Sequence, residues 1–494
     1  MSLIPEFQNF SELAKTHNAI PVFRKLLSDS LTPVSAFRKI DRGGTACLFE
    51  SVIGGEKVGR YSILATDPKF EISAQGNEVT IGDKTWTCDN PLDEIRKHID
   101  AVRVAILEDL PPFAGGAIGF AGYDVIRYVE DLPNPPEDDR QLDDMSFAFY
   151  NSMLIFDHVT KTIFVMALAS LDDFDSPKEA WDDAVVRVDE LVDRLQSPSD
   201  GDEFNHMHVT ATGGQPPEYT SNMTRETFAN AVNECIEYIK AGDIFQVVLS
   251  QRLSLDIKCD PLEIYRSLRV LNPSPFMFFL RSEKCTLVGS SPEIMCRVVD
   301  GEVTVRPLAG TRKRGLTPEE DQRLEEELLA DEKERAEHVM LVDLGRNDVG
   351  RVAKYGSIEL PDIMVVERYS HVMHISSSVT GQLRDDCDAF DALMASLPAG
   401  TVSGAPKVRA MEIIDQFEPH RRGPYAGAVG YVDYSGNMDT CIALRTMVIK
   451  DGKAWVQAGA GIVADSDPDA EYEETLNKAL GLLRAIQAAH ARVG

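Results

Sequence analysis

The chain has 494 residues and a formal net charge of −30, with 43% hydrophobic and 26% charged side chains, the composition of a globular protein long enough for two or three domains. That acidity excludes nucleic acid and anionic membranes as partners, because phosphate binding needs a clustered basic surface, and it requires any anionic ligand to be gripped locally by a few cations. No apolar run approaches the ~20 residues that cross a bilayer, no basic segment precedes an apolar core near the first residue, and the eight scattered cysteines lack Cys-x-x-Cys spacing; a cytoplasmic location is expected.

In chain order, Glu130 to Asp144 (EDLPNPPEDDRQLDD) reads as a surface loop, and a long helical pattern ends near Leu195. The polar stretch from Ser197 to Asn222, with its Gly-Gly and Pro-Pro, reads as a linker. The expected division is an N-terminal part over 1–196, a linker over 197–223 and a C-terminal part over 224–490. Beyond Thr224, helices alternate with hairpins. Ile294–Val299 and Glu302–Leu308 flank Asp300-Gly301, and Asp439–Lys450 and Lys453–Gly459 flank Asp451-Gly452, both two-residue turn signals. The predicted class is α+β with antiparallel sheet.

Thr317-Pro318-Glu319-Glu320 opens a helix, and Asp331 with Glu334 offers a capping box for a second. On that second helix Glu334 and Glu337 are three apart and share a face. Asp467 and Pro468 start a further helix, where Glu471 and Glu474 repeat the spacing and Lys478 lies one turn on. Each pair reads in two ways. It is a solvated acidic face, with Glu474–Lys478 an ordinary helical ion pair, or the two helices present paired carboxylates to one hard cation such as Mg²⁺. Gly459-Ala460-Gly461, just ahead of the last helix, offers backbone amides to an anion. The same glycines fit a loose dinucleotide fingerprint, but no βαβ unit can follow in the residues that remain. His374 alternates away from Met373 and Ile375 onto the face of Ser376 and Ser378, and Arg445 shares a strand face with Cys441 and Ala443. A hydrogen-bonded structural histidine and an ion-paired arginine are the alternatives to ligand-facing roles.

Seven ordered segments carry a resemblance: SPE (291–293), RPLAGTRKRG (306–315), DEKERAEHVMLVDLGRNDVGR (331–351), HVMH (371–374), PAGTVSGAPK (398–407), GPYAGAVGY (423–431) and QAGAGIVADSDPDAEYEETLNKA (457–479). Together they resemble the chorismate-utilising enzymes, and among them the large subunits of anthranilate synthases. The resemblance implies large antiparallel sheets forming a sandwich flanked by helices. It implies that Glu337 and Glu474 bind Mg²⁺, with Glu334 and Glu471 in support. Gly310, Thr311, Tyr425, Arg445 and the amides of Gly459, Ala460 and Gly461 would fix the carboxylates of chorismate, with Lys478 adding positive charge. Glu293, Thr401 and His374 would line the reacting ring, Glu293 as acid for the departing hydroxyl and His374 as the group that moves the proton when pyruvate leaves.

Two positions separate reactions within the family. Aminodeoxychorismate synthases carry a nucleophilic lysine where this chain has Ala309, and isochorismate and salicylate synthases carry a basic lysine where it has Gln246. With neither lysine, ammonia, itself a competent nucleophile, is the implied reactant. No cysteine stands in the Gly-x-Cys-x-Gly context of an amidotransferase, so a separate glutaminase subunit is the expected partner. In the first half, CLFES (47–51) and GRYS (59–62), together with NPSPFM (272–277), resemble the family's tryptophan feedback site, in which Glu50, Ser51, Pro275, Phe276 and Met277 would contact the inhibitor. A core strand and a Pro-fixed turn are the other reading of those segments. The rival functions are an aminodeoxychorismate synthase component I and a non-catalytic, amino-acid-binding regulatory subunit.

Overall fold

Asp300 and Gly301 both turn through positive φ, 50° and 78°, as do Asp451 and Gly452 at 50° and 73°. Each predicted hairpin therefore closes, Val299 opposite Glu302 and Lys450 opposite Lys453. The strand predicted over Asp439–Lys450 is instead two, Met438–Ile442 and Thr446–Lys450, in different sheets. The break falls at Arg445, whose φ of 46° costs a non-glycine residue about 1–3 kcal/mol and ends the pairing. Glu302–Leu308 likewise stops at Val305, and a new strand, Leu308–Lys313, follows Pro307, which has no N–H to give a ladder.

The computed structural model describes residues 3–51, 59–108, 110–197, 216–369 and 372–493. Within them the strands form two twelve-stranded antiparallel sheets. The first runs from Ala19–Leu27 through Phe276–Arg281, Thr286–Ser291 and Gln246–Asp256 to Thr220–Ser221, and the second from Leu308–Lys313 through Val372–Gln382 and Met438–Ile442 to Lys84–Thr87. The parts before 197 and after 223 contribute to both: Glu50 pairs with Met277 in the first sheet and Ala121 with Ala428 in the second. Ile118, Phe120, Phe278 and Leu287 pack between the sheets, each burial stabilising by about 1.5–3 kcal/mol. The outcome is the expected α+β sandwich.

Helices cover the outer faces. In Pro177–Gln196, capped by Ser176, the buried positions Ala180, Ala184, Val188, Leu191 and Leu195 make one stripe that packs on the first sheet, as does Pro468–Val493. Glu332–Gly350 and Ala389–Ser396 cover the second. The predicted caps hold at Thr317, which accepts from Glu320 N–H, and at Asp331, which accepts from Lys333 and Glu334. The Glu334 carboxylate goes elsewhere, as described below. Of the predicted linker, residues 198–215 lie outside the described residues, while Thr220–Ser221 already pairs with Leu253 and Ser254. The loop expected at the surface over Glu130–Asp144 buries its last turn, including Arg140, Asp143 and Asp144. Burial is tolerated there because Lys284 pairs with Asp143, and Arg140 donates to the carbonyls of Arg421 and Arg422. Among the described residues no helix is long and apolar enough to cross a membrane.

Candidate active site

Two crossings between the sheets set the centre of the site. Ser291-Pro292-Glu293 carries the chain from Thr286–Ser291 of the first sheet to Ile294–Val299 of the second, and Ala443-Leu444-Arg445 carries it back. They are tied together: Ile442 N–H donates to the Glu293 carbonyl at 3.0 Å and Ser290 N–H to the Arg445 carbonyl at 3.1 Å. The Glu293 carboxyl is buried and accepts from the Thr401 hydroxyl at 3.1 Å and the Leu308 N–H at 3.4 Å. Burial pushes it up to about 8 against those two hydrogen bonds. It therefore holds a proton at neutral pH. Thr401 is placed by the single turn Gly400–Val402, in which Gly400 lies so close to the helix Glu332–Gly350 that a Cβ there would come within 2.8 Å of Leu344.

His374 lies opposite a β-bulge: Ala309 pairs with Ile375 and Thr311 with His374, leaving Gly310 as the extra residue. Its φ of 67° suits glycine. The bulge aims the Gly310 carbonyl at Nδ1 of His374, 3.1 Å away, and sets the Thr311 hydroxyl 3.0 Å from the same nitrogen. A carbonyl only accepts, so Nδ1 carries the proton and Nε2 carries a lone pair. Burial, and then the Arg445 cation, lowers the imidazole to about 4. The predicted alternation holds, since Ser376 and Ser378 of the same face donate to Glu367 and Asp362. Arg445 departs from its predicted place on a strand and occupies the break between sheets. Its side chain makes no hydrogen bond or ion pair among the described residues, so the ion-pair alternative is absent there, and burial lowers its affinity for its own proton. An unpaired, partly desolvated guanidinium is what an anionic ligand requires.

The amide cradle differs from expectation in one respect. Gly459-Ala460-Gly461 is part of the strand Lys453–Ile462, and the helix opens only at Pro468. Val248 and Ser250 of the neighbouring strand spend their N–H groups on Ser403 and Glu418, leaving Leu249 to exchange ladder bonds with its partner Ala460. The amide of Ala460 is therefore taken by the sheet. Gly459 and Gly461 turn their N–H groups the other way, that of Gly459 toward the buried phenol of Tyr425, and the Gly459 carbonyl accepts from Lys478 at 3.0 Å.

The helices Glu332–Gly350 and Pro468–Val493 bring the four glutamates into one electrostatic neighbourhood. Burial, then Glu334, raises Glu337, and Glu474 adds to the rise, against a hydrogen bond from Gln246 and the attraction of Lys478. Glu471 is raised by burial and by Glu474. Arg312 holds Glu334 at 3.1 Å, and Lys478 pairs with Glu474 at 2.8 Å, the helical ion pair that was one of the two expectations. Among the described residues no three carboxylate, histidine or cysteine side chains stand close enough to hold a metal ion. The donors are nevertheless all oxygen and repel one another across two helices, which suits a hard divalent cation.

Across this site, residues 45–484 match the family model described as chorismate binding enzyme. The chain is 47% identical over 493 residues to anthranilate synthase component 1 of Acetivibrio thermocellus, covering 98% of this chain and 99% of that one. The chain belongs to the anthranilate synthase component I family of chorismate-binding enzymes. Anthranilate synthase component 1 of Synechocystis is 48% identical over 98% of this chain and 99% of its own length. The crystal structure of anthranilate synthase component I from Streptococcus pneumoniae superposes with a TM-score of 0.78 at 38% identity, over 93% of this chain and 99% of that one. The menaquinone-specific isochorismate synthase of Escherichia coli shares the fold, with a TM-score of 0.70 at 19% identity.

In this member of the family a second concavity, a cavity of about 660 Å³, opens between the sheets. It gathers all five residues expected to contact an inhibitor: Glu50, Ser51, Pro275, Phe276 and Met277. The Glu50 carboxylate is held by Tyr265 at 2.6 Å and Arg269 at 2.7 Å, whereas the buried Ser51 hydroxyl has no partner among the described residues. Two further residues adjoin the candidate site through contacts that no local sequence pattern signals. Arg312 lies inside the RPLAGTRKRG segment, but the carboxylate it holds is 22 positions away. Tyr369, whose ring stands 5.6 Å from that of His374 and whose phenol donates to Glu367, adjoins a strand whose pairing with Val372–Gln382 no local pattern discloses.

Proposed function

We propose that this chain is the large subunit of an anthranilate synthase, converting chorismate and ammonia to anthranilate, pyruvate and water. The observation that carries the reading is a buried carboxylic acid, Glu293, and a neutral imidazole, His374, in a centre that has alanine at 309 and glutamine at 246. Ala309 offers no nucleophile, which disfavours an aminodeoxychorismate synthase, and a proton-holding Glu293 is without purpose in a merely regulatory subunit.

Arg445, Tyr425 and the amides of Gly459 and Gly461 bind the carboxylates of chorismate, with Gly310, Thr311 and Lys478 beside them. Glu337 and Glu474 would hold Mg²⁺, supported by Glu334 and Glu471. When bound, that ion supplies positive charge to a substrate carboxylate. The Lys478–Glu474 pair is about half exposed on both sides and worth at most ~1 kcal/mol, so a divalent cation competes with it readily. Glu293 gives its proton to the ring hydroxyl, which leaves as water while ammonia adds, and the new C–N centre returns one proton to the Glu293 carboxylate. Nε2 of His374 then takes the ring proton, and the enolpyruvyl C–O bond breaks. The departing enolate takes that proton back from the His374 imidazolium on its methylene carbon and leaves as pyruvate, which restores the neutral imidazole.

Three results test this reading. His374→Ala slows elimination more than amination, so the amino intermediate accumulates and is seen by chromatography; its failure to accumulate removes His374 from that role. Ammonia reaches the chain from a separate glutaminase subunit, so the purified chain turns over with ammonium salts and not with glutamine, and turnover with glutamine alone refutes the partner. Tryptophan binds in the cavity between the sheets as feedback inhibitor, and Ser51→Ala weakens its binding about 5–30-fold by calorimetry, the loss of one buried hydrogen bond of ~1–2 kcal/mol. A tie to the active site supports this regulation: Phe276, lining the cavity, is the register partner of Ser291, whose hydroxyl lies 3.4 Å from the Glu293 amide.

A further inference from the structure

Behind the active site lies an ion pair sealed from water, Glu418 and Arg422, each 2% exposed at its side chain. Nε and Nη2 of Arg422 donate to the two carboxylate oxygens of Glu418 at 2.9 and 2.6 Å. The remaining donors go to backbone carbonyls, Nη1 to Val402 at 2.6 Å and Nη2 to Val248 at 2.8 Å. The guanidinium also lies over two phenol rings, 4.7 Å from the centre of Tyr123 and 5.5 Å from that of Tyr425. Glu418 in turn accepts from the N–H and hydroxyl of Ser250, at 2.8 and 2.7 Å. Desolvating two charges offsets most of what their attraction returns, so such a pair contributes little to stability compared with apolar packing. What this pair does contribute is geometry, because apart from Tyr123 each group it touches belongs to a segment that carries a site residue. Val402 adjoins Thr401, Tyr425 is touched directly, and Val248 and Ser250 lie on the strand that begins with Gln246 and pairs with Gly459–Gly461.

We infer that Arg422, clamped by Glu418, is a positioning residue that fixes Thr401, Tyr425 and the Gln246 strand relative to one another. Lysine cannot replace it. A single ammonium on a flexible stem cannot span the Val402 and Val248 carbonyls, hold both oxygens of Glu418 and lie flat against two rings. The inference deepens the function proposed above, and its first readout is independent of turnover.

That readout is the infrared carboxyl stretch of Glu293 followed against pH on the resting protein, assigned by its loss in Glu293→Gln. Thr401's hydrogen bond lowers the Glu293 midpoint, so in Arg422→Lys, where the Val402 carbonyl loses its donor and Thr401 drifts, the midpoint moves to higher pH. Thr401→Val shifts it the same way, and Arg422→Lys adds nothing in that background. Glu418→Gln, isosteric and retaining Arg422, gives a smaller shift of the same sign and serves if Arg422→Lys does not fold. In steady state, kcat in Arg422→Lys falls about tenfold below that of Val165→Ala, a core substitution on the far face of the first sheet matched for loss of melting temperature, since small misplacements of reacting groups cost factors of this size or more. An unshifted Glu293 midpoint in Arg422→Lys or Glu418→Gln, or a kcat equal to that of the matched core variant, overturns the inference. A wild-type chain that makes no anthranilate overturns the proposed function instead, and leaves the infrared result to decide this one.

Discussion

Glu293→Gln lowers kcat about 10²–10⁴-fold, the range for removing a positioned general acid, with little change in melting temperature. The amide matches the carboxyl in shape and can still accept from Thr401 and the Leu308 N–H, the two bonds that orient the native group. What it cannot do is give up a proton to a leaving hydroxyl. The effect is large because of where burial sets this acid. A glutamate at the ordinary value of 4.5 would be protonated in about one molecule in 300 at pH 7, whereas one pushed up to about 8 is protonated in about nine in ten. The sign of the pH dependence follows. The reactive form is the protonated one, so kcat of the native chain falls as pH rises through about 8, and the residual rate of Glu293→Gln lacks that limb. On the acid side His374 stays a neutral base until pH approaches about 4, which leaves a broad plateau between the two limbs. A limb that persists in Glu293→Gln would assign it to another group.

Arg445→Met moves stability and binding in opposite directions. The native side chain is a half-buried, partly desolvated cation without a hydrogen bond or ion pair among the described residues, on a backbone at φ 46°. Replacing it by an apolar side chain of similar length removes the partial desolvation cost while leaving the backbone strain, so stability rises by at most ~1 kcal/mol, read as a slightly higher melting temperature. The same substitution removes the partner of a substrate carboxylate. Loss of one member of a buried charge pair costs about 2–4 kcal/mol, or 30- to 1000-fold in kcat/KM for chorismate, most of it in KM. A lower melting temperature would mean that Arg445 is bound within the protein rather than held ready for a ligand.

The fold was legible where its determinants are local. Asp300-Gly301 and Asp451-Gly452 specify their turns within two residues, and Thr317, Asp331 and Asp467 cap helices through contacts two or three residues away. The His374 face followed from alternation alone. What escaped depends on neighbours distant in sequence. Arg445 continues an alternating pattern on paper, but the chain leaves one sheet for the other there, at a positive φ. Ala460 looks as free as its flanking glycines until Val248 and Ser250 are seen to turn away from it. The four glutamates were legible as two spaced pairs, yet Arg312 and Lys478 decide how Glu334 and Glu474 are held, and the first of these partners is not recoverable from helical spacing. Glu418 and Arg422, four apart, resemble any helical ion pair; their burial against Val402, Val248 and Tyr425 is a property of the assembled sandwich.

The central claim, that Glu293 and His374 drive amination and aromatisation of chorismate, is tested most directly by incubating the purified chain with chorismate, Mg²⁺ and an ammonium salt while following anthranilate fluorescence and pyruvate together. Anthranilate and pyruvate are expected in equal amounts, lost on chelation and restored by Mg²⁺. No anthranilate, or aminodeoxychorismate or isochorismate formed without pyruvate, would contradict it.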